Sequence, residues 1–378
     1  MFNGSLKSWL YLLNLNVGTP AQKLQVLLDA QSPFTTLHCS NASLDSSDSF
    51  NASISSTFMS SSLSPGLCRA ASPPTVVDMS SCTCAEDRVS LYVQRTEFPD
   101  PLVYSNVSNV SFTCCADTGG GSASASGAAG VAGLSREDSS LLSQISMSSG
   151  ITRQFSYCLP SIAFFGNVTK YAILNAPVGR IETFAPPTLQ TRLYYASGGY
   201  AFHLLNISID GGGIAGVMKR PTKMRVSTTQ RFTTLPRSAY KAFRESFRKA
   251  IGYGDAVKKV KSIPPFDTCF DTTLMYQEGQ SPYLRKPVIS TVVQGGGGWQ
   301  WYPRNTFVYN GTNSLVACMA FLIAEPRQPS VLGTFQQLDC LAQFDVQRSR
   351  FGFQSIFNPN VDRPESPRCD NLKYPLYP

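Results

Sequence analysis

LLDAQSPF (27–34) runs an apolar strand straight into a short polar turn, and MRVSTTQRF (224–232) does the same in the second half of the chain. Each turn is followed just over a hundred residues later by two apolar residues and a glycine, Val131-Ala132-Gly133 and Val331-Leu332-Gly333. The separations from Asp29 and Ser227 to those glycines are 104 and 106 residues. A duplicated lobe produces such spacing, so the chain is expected to contain two related halves.

Working outward, short alternating runs such as KLQVLLD (23–29), RVSLYVQ (88–94) and HLLNISI (203–209) predict strands. Ser-rich residues 40–65, Gly/Ser/Ala-rich residues 119–130 and Gly295 to Gly298 read as loops. Two helices are expected. One starts at Ser135 in SREDSSLLSQI, an N-cap serine with Asp138 three residues on. The other is PRSAYKAFRESFRKAIG (236–252), opened by proline and closed by Gly252. Its Tyr240, Phe243, Phe247 and Ile251 form one apolar stripe, read as core. With 378 residues, 28 glycines, 25 prolines and only 15% charged residues, a β-rich chain of two domains or one bilobed domain is expected.

Eleven cysteines without metal-ligand spacing indicate a disulfide framework and an oxidising compartment. Cys82-Thr83-Cys84 is too tight for a zinc half-site, and the chain has only His38 and His203, so no metal and no cofactor are expected. The odd count leaves at least one cysteine unpaired. Asn3, Asn41, Asn51, Asn106, Asn109, Asn167, Asn206 and Asn310 each begin an Asn-X-Ser/Thr triplet, half of the sixteen asparagines, which agrees with a secreted glycoprotein. LKSWLYLLNLNV (6–17) runs into the following turn without a cleavage pattern and alternates like a strand, so a signal peptide is expected to be missing from this sequence. No run reaches membrane-spanning length. The net charge of +8 suits an acidic cell-wall polysaccharide or an acidic protein partner. A nucleic-acid partner is not expected, because the basic residues do not interleave with aromatics. The densest basic stretch, residues 237–261, reads as the solvated face of a helix.

With these segments in hand, the chain resembles plant pepsin-like proteins of the nepenthesin and xylanase-inhibitor branch. NVGTPAQKLQVLLDAQSPFTTLHC (16–39) is similar to their first-lobe opening, GTP, an apolar strand, Asp-Thr-Gly-Ser and a cysteine. GLSREDSSLLSQI (133–145) and FSYCL (155–159) resemble the first-lobe helix and the strand after it. VSTTQRFTTLPRSAY (226–240) aligns without a gap to a second-lobe pattern that normally contains Asp-Ser-Gly-Thr-Thr-Phe. FDTCF (266–270), VACMAF (316–321) and SVLGTFQQLDCLAQFDVQRSRFGF (330–353) complete the second lobe. The resemblance implies an all-β, bilobal pepsin-like fold with a few short helices, with lobes at 1–185 and 186–378.

It also settles the role of CADTGGGS (115–122), whose Asp-Thr-Gly looks like the protease signature. The register assigns the first catalytic position to Asp29, at the end of an apolar strand. Asp117 follows Cys114-Cys115-Ala116 and enters a glycine-rich tract, and is read as a decoy.

Peptide hydrolysis on this fold needs two carboxyl groups sharing one proton, the ionised one activating water and the protonated one donating to the carbonyl. Here the dyad positions are Asp29 and Ser227, with Ala30-Gln31 where Thr-Gly is normal and Thr229 where the second glycine is normal. A serine hydroxyl is no base at mildly acidic pH, and no carboxylate in that turn substitutes for it. No Tyr-Gly-Asp-Gly flap lies between Cys82 and Cys115, and Tyr92, in an alternating strand, is a poor stand-in. Asp29 is therefore expected to be a structural polar group bonded to Ser32 or Ser227. No Ser-His-Asp set and no phosphate-binding loop replaces the dyad. The resemblance implies a Cys269–Cys318 bridge and one from Cys158 to Cys369, with Cys340 the candidate free thiol; the first-lobe cysteines stay unassigned.

The function that follows is that of a secreted, non-proteolytic, monomeric protein that binds and inhibits a cell-wall-degrading glycoside hydrolase, such as a xylanase or xyloglucanase. The alternatives are an aspartic endopeptidase, or a wall-binding, storage or receptor-like protein on the same scaffold. Cereal xylanase inhibitors of this fold present a histidine near the C-terminus, whereas QSIFNPNVDRPESPRC (354–369) has none and offers only Arg363 and Arg368.

Overall fold

The run Gln22–Asp29 alternates at its start and becomes continuously apolar at Val26, Leu27 and Leu28, so one strand passes from a sheet surface into a core covered on both faces. It pairs antiparallel with Leu12–Val17, then parallel with Gly130–Gly133 through Leu27↔Val131 and Asp29↔Gly133. The second half repeats the parallel crossing, Thr222–Val226 against Ser330–Leu332, through Met224↔Ser330 and Val226↔Leu332. This computed structural model describes residues 10–40, 49–60, 82–93, 103–115, 127–160, 162–166, 171–175, 180–184, 190–196, 198–214, 217–218, 220–275, 287–311, 315–356 and 369.

An eight-stranded sheet is built from strands between Leu12 and Gly133, and a nine-stranded sheet from strands between Tyr194 and Leu332. A five-stranded sheet joins them, taking Gln154–Cys158 and Ile162–Phe165 from one side and Cys340–Asp345, Arg350–Ser355 and Gln190–Arg192 from the other. Its aromatic pairs hold the halves together: Phe155 faces Phe344 in register and stacks on it with centroids 4.4 Å apart, and Tyr200 lies 5.2 Å from Phe344. The fold is all-β, bilobal and pepsin-like, with few short helices.

The helix Arg237–Ala250 forms where its apolar spacing predicts, burying Ala239, Tyr240, Phe243 and Phe247, with Pro236 at its N-cap. The first-lobe helix corrects the sequence reading. It spans Leu141–Ser149 and is capped by Ser140, whose hydroxyl accepts from Ser143 N, while Gly150 closes it in the left-handed region (φ 65°). Ser135 is spent on a turn instead, accepting from Glu137 N at 3.2 Å. The expected loop at 40–65 is also corrected in part: Phe50–Asn51 and Met59–Ser60 are short strands. Phe50 is fully buried and meets Phe112 edge-on at 5.9 Å, so an apolar anchor pins that polar stretch to the sheet.

Disulfides connect Cys39 to Cys114, Cys82 to Cys115, Cys158 to Cys369 and Cys269 to Cys318, and Cys84 is also disulfide-bonded. Cys340 is free and buried. Cys158–Cys369 closes a separation of 211 residues. In a chain-entropy account a loop that long corresponds to about 5 kcal/mol. No helix among the described residues is long and apolar enough to cross a membrane.

Candidate functional site

The parallel crossings bring two polar turns to the junction of the lobes, and backbone hydrogen bonds tie each turn to its crossing strand or to the residues just after it. In the first, Leu134 N donates to Asp29 O (2.9 Å) and Ser135 N to Ser32 O (3.1 Å). In the second, Ser227 N donates to Leu332 O (3.1 Å) and Thr334 N to Gln230 O (2.9 Å). Gly133 N donates to Thr35 Oγ1 at 3.2 Å, and Gly333 N to Thr233 Oγ1 at 3.0 Å. Thr36 pairs with Val131, and Thr234 with Val331. Thr35 and Thr233 each stand six residues after Asp29 and Ser227, so Ser227 occupies the place that Asp29 occupies in the first turn.

Glycine is required at both crossings for close approach. A Cβ on Gly133 would lie 2.3 Å from Phe34 O, and one on Gly333 would lie 2.4 Å from the carbonyl carbon of Phe232. The sequence carries a signal for this symmetry that spacing alone passes over. Phe34-Thr35-Thr36-Leu37 and Phe232-Thr233-Thr234-Leu235 are the same tetrapeptide at the same offset.

The side chains of the two turns differ. Asp29 keeps a little accessible surface, and its Oδ1 accepts from Gln31 N at 2.8 Å. Burial pushes its carboxyl above the usual carboxylate range, against the lowering effect of the Gln31 and Ser32 backbone N–H groups and of the Arg225 guanidinium. Ser227, for its part, bonds within its own turn. Ser227 is 1% exposed, and its Oγ accepts from Thr229 N (3.2 Å) and Gln230 N (3.0 Å) and lies 3.3 Å from Thr229 Oγ1. Its carbonyl accepts from Gln337 Nε2 at 2.8 Å, and Gln337 Oε1 accepts from Tyr157 OH.

Across the junction, Ala30 N donates to Thr228 Oγ1 at 3.1 Å, and Ala30 has no hydroxyl with which to return the bond. Gln31, at the first glycine position, reaches over instead, its Nε2 donating to Val226 O at 3.2 Å. Arg225 stands beside it. Burial lowers the pKa of its guanidinium, opposed by Asp29, and its Nε is buried without a hydrogen-bond partner. Gly199 makes room for both, since a Cβ there would lie 3.0 Å from Gln31 Cγ and 3.4 Å from Arg225 Cδ. Sequence reasoning missed Arg225 and Gly199. The mirrored position of Arg225 is Leu27, so a cation where the first lobe has an apolar residue was the available signal.

The strand Cys82–Val93 pairs with Val103–Cys115 as far as Val93↔Val103, but the tip between them, 94–102, and Asp117 lie outside the described residues. Asn106, Asn109 and Asn310 are exposed and Asn206 half-buried, while Asn3, Asn41 and Asn167 lie outside the described residues. Asn51 is buried, its Oδ1 accepts from Ser53 N and Ser53 Oγ, and it caps a short turn. Among the described residues no cluster of His, Cys, Asp and Glu is arranged to hold a metal.

Two family models match this chain. The xylanase inhibitor N-terminal model matches residues 11–167, and the xylanase inhibitor C-terminal model matches residues 199–355. The chain is 30% identical over 239 residues to gamma conglutin 1 of Prunus dulcis, covering 60% of this chain and 52% of that protein, so it spans about half of that relative's length. It is 27% identical over 376 residues to aspartyl protease 25 of Oryza sativa subsp. japonica, covering 91% and 81%. Among solved structures it is similar to the crystal structure of edgp, with a TM-score of 0.74, 22% identity and coverage of 98% and 96%. At that identity the structural likeness concerns the fold.

Proposed function

The chain belongs to the plant pepsin-like family built from xylanase inhibitor N- and C-terminal domains, and from that premise we propose that it is a secreted, non-proteolytic member that binds and inhibits a cell-wall-degrading glycoside hydrolase. The carrying observation is the chemical inequality of the two turns. Shared-proton catalysis requires a second carboxyl group opposite Asp29, and the equivalent position is Ser227, whose hydroxyl is engaged by two N–H groups of its own turn. Burial raises the Asp29 pKa, and the charged group that acts on it is the cation Arg225, which partly offsets that rise, rather than a second carboxyl. Gln31 reaches from one turn to the strand before the other, filling space that a glycine would leave open.

In this reading the retained scaffold serves as a rigid platform for loops that enter the target's cleft, where a few buried contacts carry the affinity. The target is proposed by class only. No histidine follows His203 in this sequence, so recognition through a C-terminal histidine is no part of the proposal. We place the lobe boundary at 185/186, between the hairpin ending at Phe184 and the strand beginning at Gln190.

The test is a residual-activity titration of the purified glycoprotein against xylanases, xyloglucanases and other wall hydrolases at mildly acidic pH. Stoichiometric loss of activity for one class is expected and names the target. Full activity across the panel overturns the inhibitor reading. Pepstatin-sensitive cleavage of the hydrolases overturns the non-proteolytic one.

A further inference from the structure

The helix Arg237–Ala250 buries its apolar residues and turns a basic stripe outward. Arg237, Lys241, Arg244 and Arg248 recur at spacings of four, three and four, which aligns them along about 16 Å of one face. Beyond the helix the chain folds back, Tyr253 N donating to Arg248 O and Gly254 N to Val257 O, and adds exposed Lys258, Lys259 and Lys261. Residues 237–261 therefore hold eight basic residues against two acidic ones, a net +6 in a chain whose total is +8. Counting Asp267, paired with Arg244, and Asp271, which faces Lys258, four positive charges remain uncompensated.

Two features separate this ridge from an ordinary solvated helix. Arg237 sits in the first turn, where no acidic residue balances it and where the helix dipole disfavours a cation. Moreover, the side chains of Arg237, Lys241, Lys249 and Lys261 have no hydrogen-bond or ion-pair partner among the described residues. The helix dipole favours only Lys249, in the last turn; the other three gain no such support within the fold, and a linear polyanion would supply it.

We propose that the ridge is the docking site of a linear carboxylated polysaccharide, a polyuronate of the extracellular matrix. The choice of occupant follows from chemistry on the same face. The ring of Tyr253 is already covered by the Arg248 guanidinium (5.0 Å) and the Lys259 ammonium (5.5 Å), so it offers no free platform for a nucleobase. Ala239, Tyr240, Phe243 and Phe247 are all turned inward, so the helix has no apolar face to insert into a lipid surface. The disulfides place the chain in an oxidising compartment, where a plant protein meets uronate polymers; this step rests on the extracellular reading proposed above, not on inhibition of a hydrolase. Exposed ion pairs are individually weak and screened by salt, so the interaction is multivalent and salt-sensitive.

The experiment measures binding of the full chain to polygalacturonate at 50 and 500 mM NaCl, ionic strengths that bracket strong and weak screening (about 14 and 4 Å). The variant R237Q/K241Q/K249Q/K261Q is compared with K23Q/R220Q/K223Q/R350Q, which removes the same number of exposed charges elsewhere. Expected are a loss of about tenfold or more in affinity for the ridge variant, a similar loss for wild type at high salt, and near-wild-type binding for the control. Fully methyl-esterified polygalacturonate is expected not to bind. The proposal is overturned if wild type does not bind at low salt, or if the two variants weaken equally. It is also overturned if duplex DNA or anionic vesicles bind through the same four residues more tightly than polygalacturonate does.

Discussion

In the first lobe the polar turn presents Asp29, a carboxyl whose pKa burial raises, and in the second lobe the same backbone presents Ser227, a hydroxyl turned back on its own N–H groups. What the turns share is steric: Gly133 and Gly333 at the crossings, Thr35 and Thr233 bonding to them, and the tetrapeptide that leads into each following strand. What they do not share is the residue type at several equivalent positions, with Ala30 set against Thr228, Gln31 against Thr229 and Leu27 against Arg225. The comparison teaches that backbone crossings are held by packing, while polar groups at the junction can change without loss of fold.

The strongest way to break the comparison is at the glycines. Gly133→Ala and Gly333→Ala each push a Cβ into backbone at less than 3.0 Å, and both are expected to destabilise by about 3 kcal/mol, measured by denaturant unfolding. A large loss at one site with none at the other would end the claim that the crossings are mechanically equivalent. Next comes the one-armed bond across the junction. Thr228→Val strands the buried Ala30 N–H and is expected to cost about 1–2 kcal/mol, again read from unfolding midpoints. An unchanged midpoint would mean that the bond contributes nothing to holding the lobes.

The smallest effect is expected at Asp29. Its folded pKa is raised above the ordinary 3.8, so the native state holds the proton more tightly than the unfolded chain does. Stability then falls as pH climbs from that value through the folded pKa. Asp29→Asn removes this dependence, so the variant gains on wild type as pH is raised, measured by unfolding at several pH values from 3 to 7. A difference that is flat or shrinks with pH would show that the carboxyl is not held in its protonated form by burial.

Some of this architecture was legible because it is periodic. The helix Arg237–Ala250 repeats its apolar residues at helical spacing, and Gln22–Asp29 alternates and then turns apolar, so both were visible in one dimension. The first-lobe helix start was misread because Ser135, Ser139 and Ser140 are equivalent N-cap candidates by type. Only the fold decides that Ser140 reaches Ser143 N while Ser135 stays in the turn after the crossing. The first-lobe disulfides were illegible for a similar reason. Adjacent residues of a strand face opposite sides, so Cys114 turns to Cys39 and Cys115 to Cys82, a choice that depends on strand register.

By itself, the amino-acid order determined the family, the β-rich two-lobed fold and the place of Ser227 as the counterpart of Asp29, because these depend on residue type and local spacing. The three-dimensional arrangement decided the rest. It set Gln31 against Val226, opened room at Gly199 for Arg225, buried Asn51 and gathered the cations of residues 237–261 onto one ridge. The contact of Gln31 with Val226 joins residues 195 positions apart, and a meeting at that distance is set by packing and register, which no local pattern encodes.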